Sequence, residues 1–184
     1  MLRLRLVPPS PETDAPAKLD CVEAFARELD YVSRTLTRFG THSSDIEDLA
    51  HETFLVLQRR WGEYDQSRAL RPYLFGIAFR VASAYRRQRS RERLTHSVDV
   101  PDLAKNPEQA LESEQVRTIV LAALERVPLD RRAVFIMHEL DEVPMQDVAV
   151  TLRIPTFTAY SRFRKARKEF AVAVARMLGR TAKP

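Results

Sequence analysis

The sequence is short of the residues that interrupt helices or cross-link chains. It holds one cysteine, Cys21, and only four glycines in 184 residues. A single cysteine excludes an internal disulfide framework and fits a reducing compartment. There is no Gly-rich phosphate loop and no nucleophile motif. The four histidines (His42, His51, His96 and His138) show no metal-ligand spacing with one another or with Cys21. No apolar run approaches the length of a membrane span. The N-terminal stretch "MLRLRLVPPSPETDAPAK" lacks the apolar segment of a secretory signal and reads as a loose tail, residues 1–18. No catalysis, cofactor, metal or direct membrane insertion is expected.

What remains is helix-forming and charged. With 45% apolar and 30% charged residues the composition is globular, and the length suits one or two small domains. The net charge of +5 is unevenly spread. Acids outnumber bases from Asp20 to Asp65. From Arg68 to Arg93 eight arginines face one acid, Glu92. From Arg153 to Lys168 there are six bases and no acid. Each basic block alone reads first as a solvated helix face; the two together suggest a polyanion bound at two places, and the acidic stretch a different partner.

Periodicity predicts helices throughout. In "CVEAFARELDYVSRTLTRFG" the apolar positions Val22, Phe25, Leu29, Val32 and Leu36 repeat at helical spacing and end at Gly40. The next helix opens with Ser44-x-x-Glu47, a capping-box pattern. Its buried stripe is read as Ile46, Leu49, Ala50, Phe54 and Leu57. Glu47, Asp48, His51, Glu52 and Leu55 fall on the other side. "YLFGIAFRVASAYRRQRSRERL" reads as one helix, apolar first and basic later. Residues 95–112 hold two prolines and little periodicity, which marks a linker. Helical patterns resume beyond it. The fold class is all-α, in two small helical domains over residues 19–94 and 113–180.

Near the C-terminus, "MQDVAVTLRIPTFTAYSRFRKARKEF" joins two helices at "LRIP". Val148, Ala149 and Leu152 would pack the first, with Ala149 small enough for a close crossing. Pro155 suits the first turn of the second. There Ala159, Phe163, Ala166 and Phe170 share one side. Phe157, Tyr160, Ser161, Arg164, Lys165 and Lys168 share the other, with Thr156 at the helix start. Such a helix fits the major groove. Arg153 stands where the turn usually has Gly, at a cost of roughly 1–2 kcal/mol if the backbone is left-handed. The residues alone leave two readings, a DNA-binding helix-turn-helix or a plain helical hairpin.

Leu19 to Arg180 as a whole resembles a bacterial sigma-70 family factor of the extracytoplasmic-function type, with region 2, a linker and region 4. "DIEDLAHETFLVLQRRW" resembles region 2.2, and "LRPYLFGIAFRVASAYRRQRSR" resembles regions 2.3 and 2.4. "LERVPLDRRAVFIMHEL" with the C-terminal pair of helices resembles region 4. The resemblance implies an alternative sigma factor that directs core RNA polymerase to promoters. Docking on the β′ clamp helices would fall to Glu47, Asp48, His51, Glu52 and Leu55, and region 4 would meet the β flap. Tyr64, Arg71, Tyr73, Arg80, Tyr85, Arg86, Arg87 and Arg89 would hold the −10 element as single strand, a task for planar surfaces and positive charge; Phe79 reads as core. Thr156, Phe157, Tyr160, Ser161, Arg164, Lys165 and Lys168 would read the duplex −35 element. The family also implies an anti-sigma partner and a cytoplasmic location, at the membrane when that partner is membrane-bound. A decoy that sequesters an anti-sigma factor, or a stand-alone helix-turn-helix regulator, are the alternatives. Departures are Tyr73 where Trp is common, Phe79 and Arg80 within a usual "ARN", His51 for Gln, Phe157 for Gly and Ala159 for Val.

Overall fold

The computed structural model describes residues 20–95 and 111–181, and every regular element among them is helical. Helices α1 (Cys21–Arg38), α2 (Ile46–Arg60) and α3 (Leu70–Thr95) form one group. Helices α4 (Leu111–Glu125), α5 (Leu129–Phe135), α6 (Met145–Leu152) and α7 (Thr156–Thr181) form the other. The expected tail, 1–18, lies outside the described residues, as does most of the expected linker. Its two ends are helical, since α3 runs to Thr95 and α4 starts at Leu111.

In the first group, Asp20 caps α1 by accepting the Val22 N–H at 3.2 Å. The buried side of α1 is Cys21, Ala24, Phe25, Tyr31, Val32, Thr35 and Leu36. Val22 and Leu29 are exposed, contrary to the sequence expectation. Small Ala24 and a buried Thr35, whose hydroxyl returns to Tyr31 O at 2.8 Å, turn the packed face away from them. On α2, Leu49, Ala50 and Leu57 are buried as expected, and Thr53 is buried with them, bonded to Leu49 O at 2.8 Å. Ile46 and Phe54 are half-buried. The capping box does not form: Asp45 occupies the N-cap position without a side-chain cap bond, after a 3-10 turn over Ser43–Asp45.

In the second group each of three helices starts directly after a proline: Pro128, Pro144 and Pro155. Pro155 therefore precedes α7 rather than opening its first turn, and its carbonyl accepts from Thr158 and Ala159. Helix α5 continues through a π-helical turn, Ile136–Leu140. Its far end is tied by His138 Nδ1 to Val143 O at 2.9 Å. Ion pairs Arg131–Glu169 and Arg162–Asp130 bind α5 to α7.

Arg153, between α6 and α7, is fully left-handed at φ 54° and ψ 49°. The turn closes through Ile154 N–H to Ala149 O at 3.0 Å, the bond pattern for which Gly is usually chosen. Arg153→Gly is expected to stabilise the protein by about 1 kcal/mol, the left-handed strain less the extra freedom of an unfolded glycine. A higher urea midpoint at unchanged slope would show it; a lower midpoint would mean that the Arg153 side chain is holding the turn.

The two groups pack directly on each other, and their buried residues form one apolar cluster. Helix α6 crosses α3 at Gly76, where an added Cβ would lie 3.2 Å from Thr151 Cγ2 and 3.3 Å from Thr151 O. A side chain there would force the two helices apart by a few tenths of an ångström. At the C-terminus of α1, Gly40 adopts φ 77° and closes the helix as expected.

Candidate polymerase and nucleic-acid interfaces

The acidic side of α2 is free. Glu47, Asp48, His51 and Glu52 are exposed and Leu55 is half-buried beside them. No ion pair engages Glu47, Asp48 or Glu52 among the described residues. Helix packing of Leu49, Thr53 and Leu57 on the far side turns these carboxylates outward. The face can meet a basic partner without first breaking an internal contact.

The predicted strand-holding residues divide into two clusters. Tyr64, in the connection before α3, and Tyr73, in the first turn of α3, pack with ring centroids 4.9 Å apart, and Trp61 stacks on Tyr64 at 5.4 Å. Trp61 was not singled out by sequence reasoning. It follows two arginines at the end of α2, and nothing local shows that its ring joins the aromatics three and twelve places on. The three half-buried rings offer a planar surface for unstacked bases. Arg71 is exposed beside this cluster, paired to Glu28 at 2.8 Å and lying over the Tyr31 ring.

Further along α3, Tyr85 donates to Asp45, while Arg89 donates to Tyr85 Oη at 2.6 Å and to Asp45 at 3.3 Å. The Tyr85 bond first, then one from the Ser44 hydroxyl, and the Arg89 charge hold the Asp45 carboxyl below its ordinary range. They also explain why Asp45 does not cap α2: its oxygens are already occupied. Arg86 bonds Phe39 O at 3.0 Å. Arg87 is exposed and makes no ion pair among the described residues. Arg80 is placed differently from the rest. Partial burial, and then the charges of Arg153 and Arg60, lower its pKa, because the α6–α7 turn of the second group stands over it. Phe79 packs on Phe39 at 5.9 Å, as core.

On α7 the expected division of faces holds. Ala159 and Ala166 are fully buried, and Phe163 and Phe170 pack on Phe135. Thr156, Phe157, Tyr160, Arg164, Lys165 and Lys168 are exposed, with Ser161 half-buried at the edge. None of these three bases is in an ion pair among the described residues. The face is therefore ready for an anion.

Two residues at the seam between the groups had no signal in the sequence. Arg132 on α5 is fully buried and, among the described residues, makes no ion pair. Its guanidinium donates to Val127 O at 3.0 and 3.1 Å, to Glu125 O at 2.9 Å and to Arg38 O at 3.4 Å. It thus meets the C-terminal carbonyls of α4 and α1, where helix dipoles favour a cation. Burial, with Arg86 nearby, pulls its pKa down to about 10, and it stays ionised at neutral pH. Asp141 accepts from Tyr31 Oη and from Arg38, both at 2.9 Å. Burial and this carboxylate raise the Tyr31 pKa.

Among the described residues no helix is long and apolar enough to cross a membrane, and no cluster of His, Cys, Asp and Glu could hold a metal ion.

The chain is similar to known proteins over most of its length. Residues 24–92 match sigma-70 region 2, and residues 117–170 match sigma-70 region 4. The ECF RNA polymerase sigma-E factor of Escherichia coli K12 is 27% identical over 137 residues, covering 68% of this chain and 72% of the relative. The sigma-E factor of Salmonella typhimurium gives the same figures. The RNA polymerase sigma-H factor of Pseudomonas aeruginosa is 23% identical over 154 residues, covering 78% and 80%. Among solved structures, the sigma factor RpoE bound to the anti-sigma factor NepR from Bartonella quintana has a TM-score of 0.70 at 19% identity, over 84% of this chain and 96% of that one. CnrH in complex with the cytosolic domain of CnrY has a TM-score of 0.60 at 17% identity, over 84% and 87%.

Proposed function

The chain belongs to the sigma-70 family, as an extracytoplasmic-function sigma factor, and from that premise we propose which of its surfaces carries each step of initiation. It is an alternative sigma factor, binding core RNA polymerase and promoter DNA. Sigma factors are not enzymes; the polymerase does the chemistry.

Helices α1 to α3 make the region 2 unit and α4 to α7 the region 4 unit, joined through the segment after Thr95. The free acidic face of α2 docks on the β′ clamp helices, with Leu55 as the apolar contact among Glu47, Asp48, His51 and Glu52. The −10 strand lies along α3. Its bases stack on Tyr64 and Tyr73, with Trp61 extending the platform, and its phosphates meet Arg71, Arg80, Tyr85, Arg86, Arg87 and Arg89. Helix α7 enters the −35 major groove, with Thr156, Phe157, Tyr160 and Ser161 near base edges, Arg164 and Lys165 behind them, and Lys168 on phosphate. The observation that carries this reading is the unpaired basic face of α7, opposite a fully packed one, in a chain whose second basic face lies on α3.

The seam between the regions must open for both elements to be held. Sites about 25 base pairs apart are separated by roughly 85 Å of duplex at 3.4 Å per step. A chain of this size packs into roughly 40 Å. Separation breaks the Asp141 contacts with Tyr31 and Arg38 and lifts the α6–α7 turn from Arg80. Until polymerase sets the spacing, the two DNA contacts are separate and weak; afterwards the second is in effect intramolecular. The sigma factor RpoE in the solved structure is bound to the anti-sigma factor NepR, and we assign this chain an anti-sigma partner of the same kind, able to keep it at a membrane if that partner is anchored there.

Run-off transcription with core polymerase and genomic fragments tests the reading. A subset of promoters is expected to yield transcript, and Arg87→Ala is expected to lower open-complex formation severalfold while core binding holds. Absence of transcript from every fragment, alongside tight binding of an anti-sigma protein, would make the chain a decoy instead.

A further inference from the structure

Two large aromatic side chains on the leading turns of α7 stand exposed, with no ring partner among the described residues. Phe157 is 76% exposed and Tyr160 is 52% exposed. Neither joins any of the ring contacts among the described residues, although Phe163 and Phe170, on the opposite face, both do. Packing does not require them, because Ala159 and Ala166 already close the buried side at 0% exposure. Helix propensity does not favour a surface phenylalanine either. Both rings are therefore available to a partner outside the chain.

The surroundings define that partner's charge. From Arg153 to Lys168 the chain has no acid, and Arg164, Lys165 and Lys168 share the exposed face with the rings. The partner is a polyanion that offers apolar groups between its charges. In the major groove the one apolar feature on a base edge is the C5-methyl of thymine. Residues three apart on a helix have Cβ atoms roughly 5–6 Å apart, the span of about two base steps. Both rings lie in the first two turns of the helix, the part of a recognition helix that meets base edges.

We propose that Phe157 and Tyr160 are specificity-determining residues that read thymine methyl groups in the upstream promoter element. The inference rests on α7 being the −35 helix. Phe157 covers one methyl with its ring face or edge, and Tyr160 covers a neighbouring position while its hydroxyl stays available to a base or phosphate. Thymine is thereby preferred at one or two fixed positions without a hydrogen bond to mark them, while Arg164 selects its own position through donors.

The test uses core RNA polymerase loaded with the full chain, selecting duplexes from a pool randomised across the upstream element. Thymine is expected to be enriched at one or two fixed positions. Replacing it there with deoxyuridine, which lacks only the methyl, should weaken binding roughly three- to tenfold. Phe157→Ala should remove that difference, and Phe157→Leu, still apolar, should keep most of it. Both variants should retain the wild-type preference at the position read by Arg164. If an element is selected but uracil replaces thymine without loss at every position, methyl reading is wrong and the −35 assignment survives. If no upstream element is enriched at all, the −35 assignment fails and the inference with it. If Phe157→Ala selects DNA as the wild type does but loses retention on phosphatidylglycerol vesicles, the rings serve a membrane surface and the proposal is overturned.

Discussion

Arg132→Ala is expected to lower the unfolding free energy by about 3–5 kcal/mol, a large share of what a domain of this size has. The side chain is fully buried and serves three backbone carbonyls, Val127 O, Glu125 O and Arg38 O. Removing it leaves those acceptors in a site closed to water, and each stranded polar group costs about 1–3 kcal/mol. A cavity of side-chain size adds to the loss. The ionised guanidinium is itself costly to bury, which is why its pKa falls to about 10, but three acceptors at helix ends offset that cost. Urea unfolding measures the effect, and Arg132→Met divides it. Methionine fills much of the volume and donates nothing, so most of the loss should persist. Full recovery with methionine would mean that volume, and not the hydrogen bonds, sets the stability here.

The second large effect is on polymerase binding. Changing Asp48 and Glu52 together to Lys is expected to weaken affinity for core enzyme by on the order of 2–3 kcal/mol, roughly 30- to 150-fold. Both side chains are exposed and neither is in an ion pair, so reversal breaks no internal contact. Asp48 lies in the first turn of α2, where an acid complements the helix dipole, and its loss there costs only about 0.3–1 kcal/mol of stability. Titration of labelled protein with core polymerase at several salt concentrations reads the change. The wild-type complex should weaken steeply with salt and the reversed variant much less. An unreversed affinity in the double variant would take this face out of the docking surface.

Local pattern was sufficient for much of this. Helical period located all seven described helices, because a helix must bury one side and the apolar residues record which side that is. The exposed face of α7 could be read the same way, since Ala159, Phe163, Ala166 and Phe170 assign its inner side and leave Phe157, Tyr160, Arg164, Lys165 and Lys168 outside. The acidic face of α2 followed from Leu49, Ala50 and Leu57 by the same rule. Where the period was imperfect the reading slipped: Val22 and Leu29 kept the spacing but lost the burial, because small Ala24 and self-satisfied Thr35 let α1 rotate its packed side.

Contacts between distant parts of the chain were beyond any local pattern. Ser44-x-x-Glu47 had the composition of a capping box, yet Asp45 is drawn to Tyr85 and Arg89, some forty residues away, and the box does not form. Trp61 joined the Tyr64–Tyr73 platform only once α3 folded back along α2. Arg132 looks in sequence like any surface arginine; it is buried because the ends of α4 and α1 meet around it. Asp141 and Tyr31 lie 110 residues apart and are joined only because region 4 sits on region 2. The side a helix buries is written in the spacing of its own residues. Which carbonyl or carboxylate a buried polar group finds depends on what the tertiary fold brings to it, and an unpaired polar group costs too much for the fold to leave that choice open.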